Sequence, residues 1–335
     1  MRVVAIGGGT GLATLLRGLK PHVVRPSGQA DRQPAITRLT AIVTVTDEGG
    51  SSGRLRRDFG MLPPGDIRNC LVALAEDEQF LTRLFAYRFT GGRGLAGHSF
   101  GNLFLAALTH LTKDFAKAVR VSSEVLAVRG EIYPSTLSDV RLRARLANGR
   151  TARGEAQVNQ ASSPIRRLEL VPRGARALPA ALAAIEQADL ITLGPGSLYT
   201  SLIPNLLVRG VVDSLTRARG AKVLVANLMT QPGETRDYAA SEHLRAIRDH
   251  TGGRHLFDTV VLNNRRISPA LLRRYAAEGA APVENDLDAV RALGIEPVLT
   301  PLAEEDHVAR HNPQRLARLL LRLAEERRQA LGKSR

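Results

Sequence analysis

The chain has 335 residues, enough for a substantial core without metals or disulfides, and its one cysteine, Cys70, excludes an intrachain disulfide and any cysteine-based zinc site. Lys and Arg number 47 against 32 Asp and Glu, a formal net charge of +15 that biases the surface toward anions such as phosphates. With aromatics at 4%, no tryptophan and no zinc-finger, RNP-type or helix-turn-helix pattern, that charge does not mark a nucleic-acid binder, and no run reaches the ~20 apolar residues of a membrane span.

The chain opens on Val3-Val4-Ala5-Ile6, a short apolar run that reads as a buried strand and leaves no room ahead of it for a signal peptide, so a soluble, cytoplasmic protein is expected. Gly7-Gly8-Gly9-Thr10-Gly11-Leu12 follows and leads into a helical pattern. Glycines at a strand-to-helix turn let backbone N–H groups and the helix N-terminus approach an anion closely, which suits a phosphate. Leu12 stands where a dinucleotide fingerprint would have its third glycine, and the bland alternative is a tight turn that needs positive φ.

Arg25 to Pro34, rich in Pro, Ser, Gly and Gln, reads as a flexible surface loop. A second apolar run, Leu39 to Val45, ends in Thr46-Asp47-Glu48-Gly49-Gly50-Ser51-Ser52-Gly53-Arg54. Its carboxylates could hold a ribose hydroxyl or a hydrated magnesium ion, and Ser51, Ser52 and the arginines could grip anionic oxygens; the alternative is a polar loop without function.

Residues 64–128 turn helical, with Pro64 near a helix start and Leu71, Leu74, Leu81, Leu84 and Phe85 spaced as an apolar stripe. Within them Gly97-His98-Ser99-Phe100-Gly101 matches the nucleophile elbow of hydrolases, but a glycine loop, not a buried strand, precedes it. A helix start lining the crevice, with His98 and Asn102 offering hydrogen bonds, is the better reading, beside a purely structural cap.

Residues 136–172 alternate apolar and polar side chains around the turn signal Asn148-Gly149, with the return run continuing toward Gln160, which predicts an antiparallel β insert. Leu190 to Leu193 is again apolar and runs into Gly194-Pro195-Gly196-Ser197, a second strand-glycine-helix unit; Asn205 and Arg209 are placed down its helix, Arg209 as surface charge. Lys222 to Asn227 and Thr259 to Asn263 repeat the strand pattern, and Pro313 to Arg328 is a closing amphipathic helix. The fold class expected is α/β: a Rossmann-like, doubly wound, mostly parallel sheet with a helical segment and a small antiparallel β insert, its ligand at the carboxyl edge of the strands. One domain is expected over residues 1–320, with 321–335 as helix end and tail.

GGGTGL at Gly7, VTVTDEGGSSGRLR at Val43, PPGDIRNCL at Pro63, GHSFGN at Gly97, LGPGSLYTSLIPNLLV at Leu193 and NLMTQPGET at Asn227 together resemble the YvcK-like gluconeogenesis factor family, in order and spacing, to about residue 320. That family is related to the CofD-like 2-phospho-L-lactate transferase of deazaflavin cofactor synthesis. The resemblance implies a Rossmann-like fold, binding of UDP-sugars such as UDP-N-acetylglucosamine, and a role in cell shape and wall synthesis on gluconeogenic carbon sources, with no established reaction. Carried over by motif, Gly8, Gly9, Thr10, Gly11, Gly194, Gly196 and Ser197 are candidate phosphate and nucleotide contacts, joined by Asp47, Ser51, Ser52, Asn102 and Asn227. Asp47 stands where the transferase relatives have an acidic residue near the transferred group. Glu48 replaces an expected second aspartate, which works against a tightly geometric magnesium site.

The leading expectation is a binding protein that senses a nucleotide sugar and acts through a partner; the runner-up is a transferase moving a phosphorylated small group from a nucleotide donor. The candidates for a base are Asp47, Asp66 and His98. Magnesium, a cell-wall synthesis protein as partner and a homo-oligomer are left open.

Overall fold

The computed structural model describes residues 1–25, 28, 30–76 and 80–333. The expected loop at Arg25 to Pro34 therefore lies partly outside the described residues, as do three positions of the helical segment 64–128 and the end of the tail.

The first half of the chain forms β1 (Arg2–Gly7), α1 (Gly9–Leu19), β2 (Arg38–Val43), α2 (Gly50–Phe59), α3 (Gly65–Leu74), α4 (Phe80–Ala86), α5 (Phe100–Thr112), α6 (Phe115–Val125) and β3 (Glu131–Pro134). An insert follows, made of β4 (Arg141–Leu146), β5 (Thr151–Arg153), α7 (Gly154–Asn159) and β6 (Ile165–Val171). The second half continues with α8 (Pro179–Gln187), β7 (Leu190–Leu193), a π-helical turn over Leu198–Leu202, α9 (Ile203–Leu207), α10 (Val211–Arg217), β8 (Ala221–Val225), α11 (Ala240–His250) and β9 (Thr259–Asn263). It closes with α12 (Pro269–Ala277), α13 (Leu287–Ala292), β10 (Glu296–Thr300), the short pair β11 (Ala303–Glu305) and β12 (Ala309–His311), and α14 (Pro313–Lys333).

Seven strands form one sheet in the order β10-β9-β8-β7-β1-β2-β3, and each neighbouring pair is parallel. The central strands are apolar along their length because helices flank the sheet: Val3, Val4, Ala5 and Ile6 of β1 and Leu190, Ile191 and Leu193 of β7 are all buried. From β1 the chain steps outward through β2 to β3, and from β7 it steps the other way to β10. The carboxyl ends of β1 and β7 thus flank the switch point, where connections diverge and leave a crevice. α1 packs against α3 and α14. Where α1 crosses α14, a Cβ on Gly18 would overlap the Pro313 carbonyl, so only glycine admits that approach.

Two edge strands, β3 and β10, escape the apolar-run reading. Their sequences, Glu-Ile-Tyr-Pro and Glu-Pro-Val-Leu-Thr, carry a proline and a charge, which edge positions tolerate because one side of the strand has no neighbour to receive an N–H. The apolar stripe expected along 64–128 is divided between α3 and α4, with Leu71, Leu74 and Phe85 buried.

The insert is a three-stranded antiparallel sheet, β5-β4-β6. Its hairpin turns at Asn148-Gly149 as the sequence signals, with Gly149 at φ +82°. The return strand does not reach Gln160: it stops at Arg153, and Gly154, at φ +76°, starts α7. A Cβ on Gly154 would overlap the Glu48 carboxylate, so the insert lies directly against the loop that follows β2.

Candidate functional site

The predicted residues fall into two groups on either side of the turn at Gly8-Gly9. The first group surrounds a cleft of about 270 Å³ at the switch point. Thr10, Gly11 and Thr14 of α1 form one wall, with Pro195, Gly196 and Ser197 from the turn after β7; Asn227 to Gln231, Tyr275 and Ala309 to His311 complete it. The two glycine turns meet closely, since a Cβ on Gly11 would overlap the Pro195 carbonyl.

Which N–H groups face a ligand is decided by side chains. Gly196 N–H donates to Asn227 Oδ1 at 3.3 Å, and Gly9 N–H is engaged by the Asp66 carboxylate. Thr10 and Gly11, at the start of α1, are left to offer their N–H groups to an anion in the cleft. Ser197 Oγ accepts from Gln231 Nε2 at 2.9 Å, which leaves its own O–H to donate. Gly9 has φ +63°, so this turn needs glycine for its backbone as well. Asn205 is buried in α9 and donates to the carbonyls of Gly7 at 3.2 Å and Ser201 at 2.7 Å, tying the two turns together. Arg209 lies beyond the end of that helix and is exposed.

The second group lies beyond Gly8, around the ends of β2 and α3. Ser51 and Ser52, both buried, sit in the first turn of α2. Ser51 Oγ lies 3.0 Å from His98 Nδ1, and Asn102 Nδ2 donates to Ser52 Oγ at 3.4 Å. Burial, reinforced by the Arg54 charge, lowers the His98 pKa below its ordinary value. A side chain on Gly65 would overlap both the Asp47 carboxylate and Ser52 Oγ, so this glycine lets α3 bring Asp66 up to them. Asp66 is pushed up to about 7, first by burial and then by the charge of Asp47.

Glu155, for which the sequence carries no motif, completes this group. Its Oε2 accepts the Glu48 N–H at 2.9 Å, and burial together with the Asp47 charge pushes it up to about 8. Glu48 itself turns away from Asp47 toward the insert, within 3.8 Å of Arg56 and 4.0 Å of Arg141. The second carboxylate beside Asp47 thus comes from α7 and not from Glu48. Ser99 is fully buried, accepts from Arg68 Nη1 at 2.7 Å and caps α5, a structural cap and not a nucleophile elbow. Among the described residues no three His, Cys, Asp or Glu side chains are grouped to hold a metal ion, and no helix is long and apolar enough to cross a membrane.

Asn227 and Leu228 also line a second cleft, of about 740 Å³, bounded by Asn263, Asn264, Arg265, Arg266, Ser268 and Asn285. Tyr275, Arg310 and His311 of the first cleft lie in or beside helix α12 and strand β12, outside every motif the sequence displays. Gln231 sits inside NLMTQPGET and was open to selection there.

Residues 3–303 match the family model described as 2-phospho-L-lactate transferase CofD. The chain is 43% identical over 320 residues to the gluconeogenesis factor of Halalkalibacterium halodurans, covering 95% of each chain. To the gluconeogenesis factor of Bacillus subtilis it is 42% identical over 326 residues, 97% of this chain and 98% of that one. A crystal structure of a Bacillus halodurans protein, 43% identical, superposes with a TM-score of 0.89 and covers 95% of this chain and 98% of that one.

Proposed function

The chain belongs to the 2-phospho-L-lactate transferase CofD family, alongside the gluconeogenesis factors, and from that premise we propose that it binds a nucleotide sugar of the UDP-sugar class and reports its level through a protein partner. The observation that carries this is the cleft at the switch point, where Thr10, Gly11 and Ser197 offer hydrogen-bond donors to phosphates while Tyr275 and Arg310 stand in the same cleft. An aromatic ring suits a base or ribose face, and an arginine suits a phosphate. The adjoining cleft, rich in amides and arginines, suits the hydroxyls of a sugar. A magnesium ion arriving with the phosphates would take most of its ligands from them and from water. The relatives' name supports a link to gluconeogenic growth, and the partner in this reading is a cytoplasmic component of cell-wall synthesis.

The test is thermal melting of the purified protein with a panel of uridine and guanosine nucleotides and their sugars, followed by mass spectrometry of what is bound. At a hundredfold excess over Kd the cognate ligand stabilises the fold by about 2.7 kcal/mol. No shift with any uridine nucleotide at millimolar concentration rules the reading out.

One observation favours a second reading, a transferase moving a phosphorylated group. Asp66 at about 7 and Glu155 at about 8 stand beside Asp47 at the carboxyl edge of the sheet, where a group poised near neutrality can take or give a proton. Conversion of the ligand, seen in the same mass spectra, would establish it.

A further inference from the structure

The cleft at the switch point contains, besides its donors, a hydrogen-bond acceptor whose identity is fixed by chemistry. His311 is 7% exposed and lines the cleft. Its Nε2 lies 3.1 Å from the Ala226 carbonyl oxygen. A carbonyl oxygen can only accept, so Nε2 carries the proton and Nδ1 presents a lone pair. Burial lowers the imidazole to about 4, so at neutral pH the ring is uncharged and Nδ1 stays an acceptor. Nδ1 has no partner among the described residues. Gln231, on the same cleft, gives its Nε2 to Ser197 Oγ, and its buried Oε1 has no partner either.

Phosphates bring only acceptors, so nothing in a phosphate chain satisfies these two atoms. An acceptor that a bound ligand shuts off from water and leaves unpaired is costly, which makes the cleft discriminate between ligands by the donors they carry. We infer that His311, seconded by Gln231, is a specificity-determining residue that demands an N–H or O–H donor on the nucleoside part of the ligand. Three groups on a uridine nucleotide supply that chemistry, the imide N–H of the base and the 2′- and 3′-hydroxyls of the ribose. This rests on the nucleotide-binding reading above.

The experiment is isothermal titration of wild type, His311→Gln and His311→Phe with UDP-N-acetylglucosamine and with its N3-methyl, 2′-deoxy and 3′-deoxy analogues, each variant first checked for an unchanged circular dichroism spectrum. Wild type should lose roughly tenfold to a hundredfold in affinity for the analogue that lacks the recognised donor. His311→Phe should lose about the same factor for the parent ligand and show no further loss with that analogue. His311→Gln can still donate to Ala226 and still present an oxygen, so it should stay close to wild type; this separates lost recognition from a lost structural bond. N3-methyl sensitivity assigns the base, and 2′- or 3′-deoxy sensitivity the ribose hydroxyl concerned. Wild type that binds the parent but is indifferent to all three analogues overturns this inference alone, as do equal losses by His311→Phe for every ligand. Failure of folded wild type to bind the parent or any other uridine nucleotide overturns the proposed function and this inference with it.

Discussion

Asp66 and Glu155, both half-buried, retain protons at pH values where ordinary carboxyl groups have released them, because burial and then the neighbouring charge of Asp47 disfavour their ionised forms. For Glu155 the folded-state value of about 8 lies above the ~4.3 of an unfolded chain. The folded state then holds more protons between those limits, so stability is greatest at the acid end and falls as pH rises toward 8. Glu155→Gln cannot ionise. It should leave Tm nearly unchanged near pH 5 and raise it at pH 8, by about 1–2 °C for each kcal/mol recovered; parallel melting curves for the two proteins from pH 5 to 8 would contradict this. Asp47 separates the two functional readings. As a ligand for a ribose or sugar hydroxyl, Asp47→Asn should weaken UDP-N-acetylglucosamine binding by about 1.5–3 kcal/mol in magnesium and in EDTA alike. As a base it should leave Kd intact and remove roughly 10²- to 10⁴-fold of turnover. Asp47 lines neither cleft, so an unchanged Kd is expected; titration in both buffers checks it, with a loss in both drawing Asp47 into the ligand site and a loss confined to magnesium pointing to a metal ligand.

At the scale of elements, α1 is held at both ends by glycines that leave room for other backbone. Gly11 admits the carbonyl of Pro195 and Gly18 that of Pro313. Adding a methyl group at either position forces the neighbouring backbone apart, an overpacking cost of about 1–3 kcal/mol. The consequences differ because only one contact borders the cleft. Gly11→Ala should lower Tm and also weaken ligand binding by tenfold or more, since it moves the two anion-facing turns relative to each other. Gly18→Ala should lower Tm to a similar degree with Kd unchanged, because it loosens α14 and not the cleft. Denaturant melts paired with titration calorimetry decide this, and equal effects on Kd would mean that α14 helps set the cleft.

For the whole molecule, the formal charge of +15 acts at long range and its contacts act at short range. Several arginines are neutralised locally, as Arg38 is by Glu131 and Arg143 by Glu169, yet the excess remains and should speed the approach of an anionic nucleotide. The association rate measured by stopped flow should fall as salt rises from about 0.05 to 0.5 M, as expected for screened attraction. The dissociation rate should change little, because the contacts that hold the ligand are shielded in the cleft. A salt-independent association rate would show that the net charge is not felt at the cleft mouth.

Burial on both faces makes a parallel strand apolar along its whole length, so β1, β2, β7, β8 and β9 were legible as runs in the sequence. The glycine turns were legible because glycine alone permits their backbone, and the family because its motifs recur in order. The edge strands were not, since one unpaired side relaxes the demand for apolar residues. Nor could a linear pattern tell that Thr10, Gly196, Ser197 and Asn227 share one cleft while Asp47, Ser51, Ser52 and Asn102 gather with Asp66 and Glu155 on the other side of Gly8. That division depends on sheet order, which sets β7 beside β1 across most of the chain. It depends as well on side-chain pairing, which gives the Gly196 N–H to Asn227 and holds His311 Nε2 on the Ala226 carbonyl. Local conformation is written in local sequence because backbone strain and burial act residue by residue; the composition of a site is a property of distances, and only the tertiary structure fixes those.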